Sequence, residues 1–151
     1  MRELELRRHA RRDPDADRLS PEGRTQAEDV GRMLVGGYDV VFVSPAKRAA
    51  ETLALFSAGL RAKLPECTVV AGLAGQGTDG TPIALGAVLA ELLRQAPEGS
   101  RGLAVGHTPL IEKAVLGLTG RRIEPLSECE GVLLTADADE IRVDELRLSG
   151  S

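Results

Sequence analysis

The sequence predicts an α/β fold, a three-layer sandwich with a mostly parallel central sheet flanked by helices. Three observations carry this. The stretch "DVVFV" at 39–43 is a continuous apolar run between turn residues, as a strand buried on both faces would be. Short runs of this kind alternate along the chain with longer segments of helical period. Segments such as those at Ser20-Pro21 and Thr108-Pro109 open on a hydroxyl residue followed by proline, a pairing suited to a helix start. With 151 residues and no repeat or linker, the chain reads as a single domain over 1–151, long enough to bury a real core.

Taken in order, 2–8 is a strand by the alternation of Leu4 and Leu6 with charged neighbours. A helix follows, with Ser20 as N-cap, Pro21 first and Glu22 at the positive end of its dipole. Ala27, Val30, Met33 and Leu34 lie at helical spacing, and Gly36-Gly37 end it. After the strand at 39–43, "SPAKRAAETLALFSAGLRAKL" is a second helix with Ala49, Leu53, Phe56 and Leu60 on one stripe. A short strand at 68–71 runs into "GLAGQGTDGTP", too rich in glycine for a regular element. Residues 83–96 form a helix closed by Pro97 and Gly99, and 102–107 a strand. The next helix has Thr108 as N-cap, Pro109 at its first position and Gly120 just past its end. "VLLTA" and "IRVDELRL", joined by "DADE", make a final hairpin.

Composition narrows the function. Tyr38, Phe42 and Phe56 are the only aromatics, too few for the stacking platforms of single-strand nucleic-acid binding. A net charge of −4 also argues against a general polyanion binder. Cys67 and Cys129 are too few and too isolated for a disulfide framework or a zinc site. Met1 leads into charged residues rather than a signal sequence, and no apolar run approaches the roughly 20 residues of a membrane span. The expectation is a cytoplasmic protein with no nucleic-acid or membrane partner, no metal and no cofactor.

The chain has two histidines, and each follows a predicted strand: His9 after "LELRR" and His107 after "LAVG". Ligands of open α/β sheets bind beyond the carboxyl ends of the strands, so the two can share one crevice. A third strand end leads to Arg48. Arg8, His9, Arg48 and His107 together carry one chemistry. Guanidiniums grip a phosphoryl group with bidentate, charge-assisted bonds. A neutral imidazole, with a pKa near 6.5, can attack phosphorus. A second one, protonated, can donate to the phosphoryl oxygens as charge spreads over them. Arg11 and Arg12 read as surface charge, and Arg7, facing the other way along its strand, takes no role. Cysteine-phosphatase chemistry fails, because six positions after Cys67 and Cys129 stand Leu73 and Thr135 in place of arginine. A P-loop fails too, because no Lys-Ser or Lys-Thr follows the glycines of 72–80.

Four ordered stretches then resemble the histidine phosphatase superfamily. Arg8-His9-Ala10 is similar to its Arg-His-Gly/Ala triplet, and "LSPEGRTQAEDVGRML" to its "LTxxGxxQAxxxGxxL" segment. "VSPAKRAAET" and "AVGHTPLI" are similar to its "SxxxRAxxT" and "GHxPxI" segments. The resemblance implies a phosphoglycerate mutase-like fold and a metal-independent phosphatase. His9 would become phosphorylated, Arg8 and Arg48 would bind the phosphoryl group, and His107 would complete the phosphate pocket. The short length and Ala10 resemble the compact SixA-like branch, whose substrates are phosphohistidine proteins. Many relatives place a catalytic Glu after the third strand, whereas 67–90 here contain none. Asp79 is the only carboxylate there, either a proton donor or a solvated loop residue. Without a donor, labile phosphoramidates suit the site better than phosphomonoesters. Asp15 stands where some relatives have a phosphate-binding Asn and is given no binding role. The alternatives are a phosphomonoesterase of small metabolites and a non-catalytic phosphate- or phosphoprotein-binding module.

Overall fold

A computed structural model describes residues 1–148. Its elements are β1 (Arg2–Arg8), α1 (Pro21–Met33), β2 (Val40–Val43), α2 (Lys47–Leu60), β3 (Cys67–Val69), a 3₁₀ turn (Ala71–Ala74), α3 (Pro82–Gln95), β4 (Arg101–Gly106), α4 (Leu110–Thr119), β5 (Gly131–Asp137) and β6 (Glu140–Leu146). The six strands form one sheet in the order β3-β2-β4-β1-β5-β6. β3, β2, β4 and β1 run parallel, while β5 is antiparallel to β1 and β6 to β5. The sheet is therefore mixed, because the chain leaving α4 through residues 120–130 enters β5 against the direction of β1.

Alternation along the central strands sorts their side chains to two helical layers. Val41, Val43, Leu103 and Val105 pack with Ala27, Val30, Ala49, Leu53 and Phe56 of α1 and α2. Phe42, Ala104, Leu4 and Leu6 pack with Leu85, Leu89, Ile111 and Val115 of α3 and α4. With so few aromatics, close backbone approach replaces bulk. A β-carbon on Gly59 would lie 2.1 Å from the Glu28 carbonyl oxygen, and one on Gly31 2.6 Å from that of Phe56. Helices α1 and α2 thus touch backbone to backbone.

Ser20 caps α1 as expected, its hydroxyl accepting from Gly23 N–H at 3.0 Å. Met33 does not join the apolar stripe: it is 67% exposed at the last turn, and Leu34, just beyond, is buried instead. The glycine-rich stretch is not wholly irregular, since Leu73 turns into the core and tightens the chain into the 3₁₀ turn. Nor does Thr108 cap α4. The helix begins at Leu110, after a cis Thr108–Pro109 bond, and the Thr108 hydroxyl donates to the Glu112 carboxylate. Among the described residues no helix is long and apolar enough to cross a membrane.

Candidate active site

The parallel pairing of β1, β4 and β2 brings three strand ends to one edge of the sheet. One residue past each end stands a polar side chain buried there: His9, His107 and Ser44. The backbone continues the ladder to hold them, with His9 N–H donating to the Gly106 carbonyl (3.0 Å) and Ser44 N–H to that of Val105 (3.1 Å). The imidazoles of His9 and His107 meet edge to face, their centroids 5.1 Å apart.

Arg48, in the first turn of α2, lies against both rings. Its Nε donates to His9 Nε2 at 3.2 Å, and its Nη2 reaches His107 Nδ1 at 3.3 Å. His9 Nδ1 lies 2.7 Å from the Ala10 carbonyl oxygen, an acceptor only, so Nδ1 carries the proton and Nε2 keeps a lone pair. Burial pushes the His9 pKa below its ordinary value, against the pull of the Ala10 carbonyl, and nearby Arg48 and Arg8 lower it further. His107 is pushed down to about 4, chiefly by burial and then by His9 and Arg48. Both rings are therefore neutral at pH 7.

The helix carrying Arg48 has Ala46 at its cap and no capping side chain of its own. Asp17, from the loop after β1, supplies the cap. Its carboxylate accepts from Lys47 N–H (2.9 Å) and Arg48 N–H (3.1 Å), and from Arg48 Nη1 (2.9 Å). Desolvation works to raise the Asp17 pKa, but these hydrogen bonds outweigh it and hold the carboxyl at about 2. One carboxylate thus fixes both the helix start and the guanidinium. Thr52, one turn further on, accepts from Ala10 N–H at 3.0 Å and donates to the Arg48 carbonyl at 2.8 Å, tying the loop after β1 to α2.

Of the residues singled out from sequence, His9, Arg48 and His107 come into direct contact. Arg8 lies beside them. Its Nη1 donates to the Leu126 carbonyl (2.8 Å) and pairs with Glu128 (3.3 Å), while its Nε is buried without a partner. A cleft of about 540 Å³ opens over Asp17, Arg48, Gln76, His107 and Thr108. Asp79 does not line it. Its exposed carboxylate accepts from the Thr81 N–H (3.0 Å) and hydroxyl (2.6 Å), which hold its pKa below the ordinary range. Such a carboxylate is ionised at neutral pH and has no proton to give. Asp17, Ser44 and Thr52 were not picked out from sequence. A helix starting on Ala46 without a local cap was the signal for Asp17. Ser44's place one past a buried strand, like that of each histidine, was the signal for Ser44. Among the described residues, no three His, Cys, Asp or Glu side chains are grouped to hold a metal.

The model of the histidine phosphatase superfamily (branch 1) matches residues 3–74, the span that holds Arg8, His9, Asp17, Ser44 and Arg48. Over these residues, just under half of its length, the chain is similar to that superfamily. No protein of curated function matches it in sequence. Structures of the same fold include a phosphoserine phosphatase from Entamoeba histolytica in complex with 3-phosphoglyceric acid. That structure has a TM-score of 0.79 at 17% identity, covering 99% of this chain and 98% of the other. The protein histidine phosphatase SixA complexed with tungstate gives a TM-score of 0.77 at 23% identity, covering 96% of each chain. A putative α-ribazole-5'-P phosphatase from Escherichia coli gives 0.79 at 16%, covering 98% of each. These likenesses show a shared fold that takes in β4, α4 and the final hairpin, beyond the span of the sequence match.

Proposed function

We propose that the protein is a phosphatase that transfers a phosphoryl group to His9 Nε2 and then to water. The observation that carries this reading is the shared guanidinium: His9 Nε2 and His107 Nδ1 both face Arg48. An entering phosphoryl group takes over the Arg48 donors and frees the His9 lone pair. The unpartnered Arg8 Nε adds a further donor at the same edge. His9 Nε2 attacks phosphorus, the bond to the leaving group breaks, and the leaving group departs with a proton. Water then attacks the phosphohistidine, releasing phosphate and restoring the Nε2 lone pair. These roles are all given to side chains, and EDTA is expected to leave turnover unchanged.

The substrate we favour is a protein phosphohistidine, as the name of SixA records for that relative in fold. What supports it is the acid–base character of two carboxylates, Asp17 in the cleft and Asp79 outside it. Asp17 is held at about 2, and Asp79 is low and turned to Thr81. Neither can protonate an alkoxide, whereas an imidazole leaving group takes its proton from solvent before the bond breaks. A cleft of about 540 Å³ is also of small-ligand size, which favours hydrolysis of a small phosphorylated metabolite as the second reading. The deciding experiment is rapid acid and base quench with labelled substrate. A base-stable, acid-labile phosphoenzyme that disappears in His9→Ala is expected, and its absence with every substrate overturns the reading. Comparing kcat/KM for a phosphohistidine peptide, a phosphoserine peptide and sugar phosphates separates the two substrate classes.

A further inference from the structure

Ser44 is 1% exposed, and its Oγ lies 2.6 Å from His107 Nε2. On the other side of the ring, Arg48 Nη2 lies 3.3 Å from Nδ1. A guanidinium only donates, so Nδ1 accepts and the neutral ring carries its proton on Nε2, aimed at Ser44. Ala46 N–H, 3.3 Å away, donates to the same hydroxyl oxygen. Ser44 is thus an acceptor twice over.

That arrangement cannot serve an anion. Nδ1 shares the Arg48 guanidinium with His9 Nε2, and so meets an incoming phosphoryl oxygen with a lone pair. His107 has two ways to donate instead. It can gain a second proton, which burial, His9, Arg48 and Arg12 all oppose and Asp17 alone favours. These groups come from the end of β1, the loop after it and α2; on the histidine's own side, Glu112 of α4 is engaged by Thr108 and by Leu126 N–H. Or the ring can change tautomer, which requires only that Ser44 turn its O–H toward Nε2. A serine hydroxyl is donor and acceptor alike and rotates to suit.

We infer that Ser44 is a positioning residue that sets the tautomer of His107, so that a bound oxyanion is met by Nδ1–H of a neutral ring whose Nε2 accepts from Ser44. The inference rests on the phosphatase reading above. Nδ1 takes up one proton and Nε2 gives up one, both exchanged with solvent, and the ring's charge does not change. The hydrogen bond from His107 to the phosphoryl group then persists across about pH 5 to 8, where a donor depending on a protonated imidazole would titrate away.

Long-range ¹⁵N–¹H correlation spectra test this, with only two imidazoles to assign. At pH 7 the empty protein is expected to show His107 as the Nε2–H tautomer, and the protein with orthovanadate to show it as the neutral Nδ1–H tautomer. An imidazolium pattern with orthovanadate, or an unchanged Nε2–H pattern, overturns the inference. In Ser44→Ala, kcat is expected to fall about tenfold at pH 7 and to recover toward acid pH as a protonated ring takes over, with Ser44→Thr restoring the flat profile. A Ser44→Ala profile parallel to wild type counts against it. The two failures are separable. A trapped phosphoenzyme beside an imidazolium His107 defeats the role of Ser44 alone, whereas no phosphoenzyme with any substrate defeats the phosphatase reading.

Discussion

Strand β1 serves two polar clusters that are built on opposite terms. On the face toward α1 and α2, Arg7 Nε donates to Glu5 Oε2 at 2.6 Å and Tyr38 Oη to Glu5 Oε1 at 2.7 Å. Arg7 Nη1 donates to the Cys129 carbonyl at 2.8 Å. Burial and the Glu5 charge push the Tyr38 pKa up, keeping the phenol a donor. One carboxylate and one guanidinium cancel, so this cluster is closed. At the carboxyl edge, Arg48 shares two imidazoles that are held neutral, and Arg8 keeps a buried N–H without a partner. This cluster is open, with one buried donor left unpaired. Buried polar groups that satisfy one another build scaffold, and those left wanting mark the place of a ligand. The two are joined by one residue. Cys129, in left-handed backbone (φ 66°), accepts from Arg7 and gives its N–H to the His9 carbonyl at 3.3 Å.

Mutation can break this contrast. The largest effect is expected from Arg48→Ala: turnover falls about a thousandfold, while the thermal midpoint stays within a few degrees of wild type. Retained activity with a large loss of stability would make Arg48 scaffold rather than site. Arg7→Leu is expected to do the reverse. It strands the buried Glu5 charge and costs about 3–5 kcal/mol in urea unfolding, and Glu5→Leu in the same chain recovers most of that. If the double variant is no better than the single one, the closed cluster is not a pair. Asp17→Asn keeps an acceptor for the α2 N–H groups but removes the charge that holds Arg48. A loss of about tenfold in kcat/KM and under about 1 kcal/mol in stability is expected, read from kinetics and denaturation together.

A further effect sharpens the contrast through pH. His107 refuses protons that the unfolded chain accepts between 6.5 and about 4. The unfolded state therefore binds more protons in that window, and stability is full above it and falls as the pH drops through it. Urea midpoints at several pH values are expected to show this fall, by about 2 kcal/mol, and His107→Gln to flatten that part of the curve.

The sequence made the open cluster partly legible because its members sit at ends of apolar strands, where one-dimensional pattern and three-dimensional place coincide. His9, Arg48 and His107 were readable in this way, as were the start of α1 at Ser20-Pro21 and both helical layers. Asp17 was not, because it caps a helix thirty residues away and nothing local to either segment displays the pairing. Arg7 was set aside for a similar reason: its acceptor Cys129, 122 residues away, is brought to it only when β5 pairs with β1. Asp79 looked like a proton donor because it was the one carboxylate in the right stretch, but the hydroxyl that holds it, Thr81, stood two residues on. The start of α4 shifted because the Thr108 hydroxyl had a better use, as a donor to Glu112.

The contact of Gly31 with α2 and of Gly59 with α1 has a consequence for how tolerant the protein is of change. Side chains between helices act as springs and absorb a misfit by changing rotamer, but two backbones in contact have no such slack. The helix that carries Arg48 is therefore gauged against a hard stop. A single methyl group added at Gly31 or Gly59, far from the cleft, would be transmitted along α2 as a displacement of the guanidinium rather than dissipated in the core.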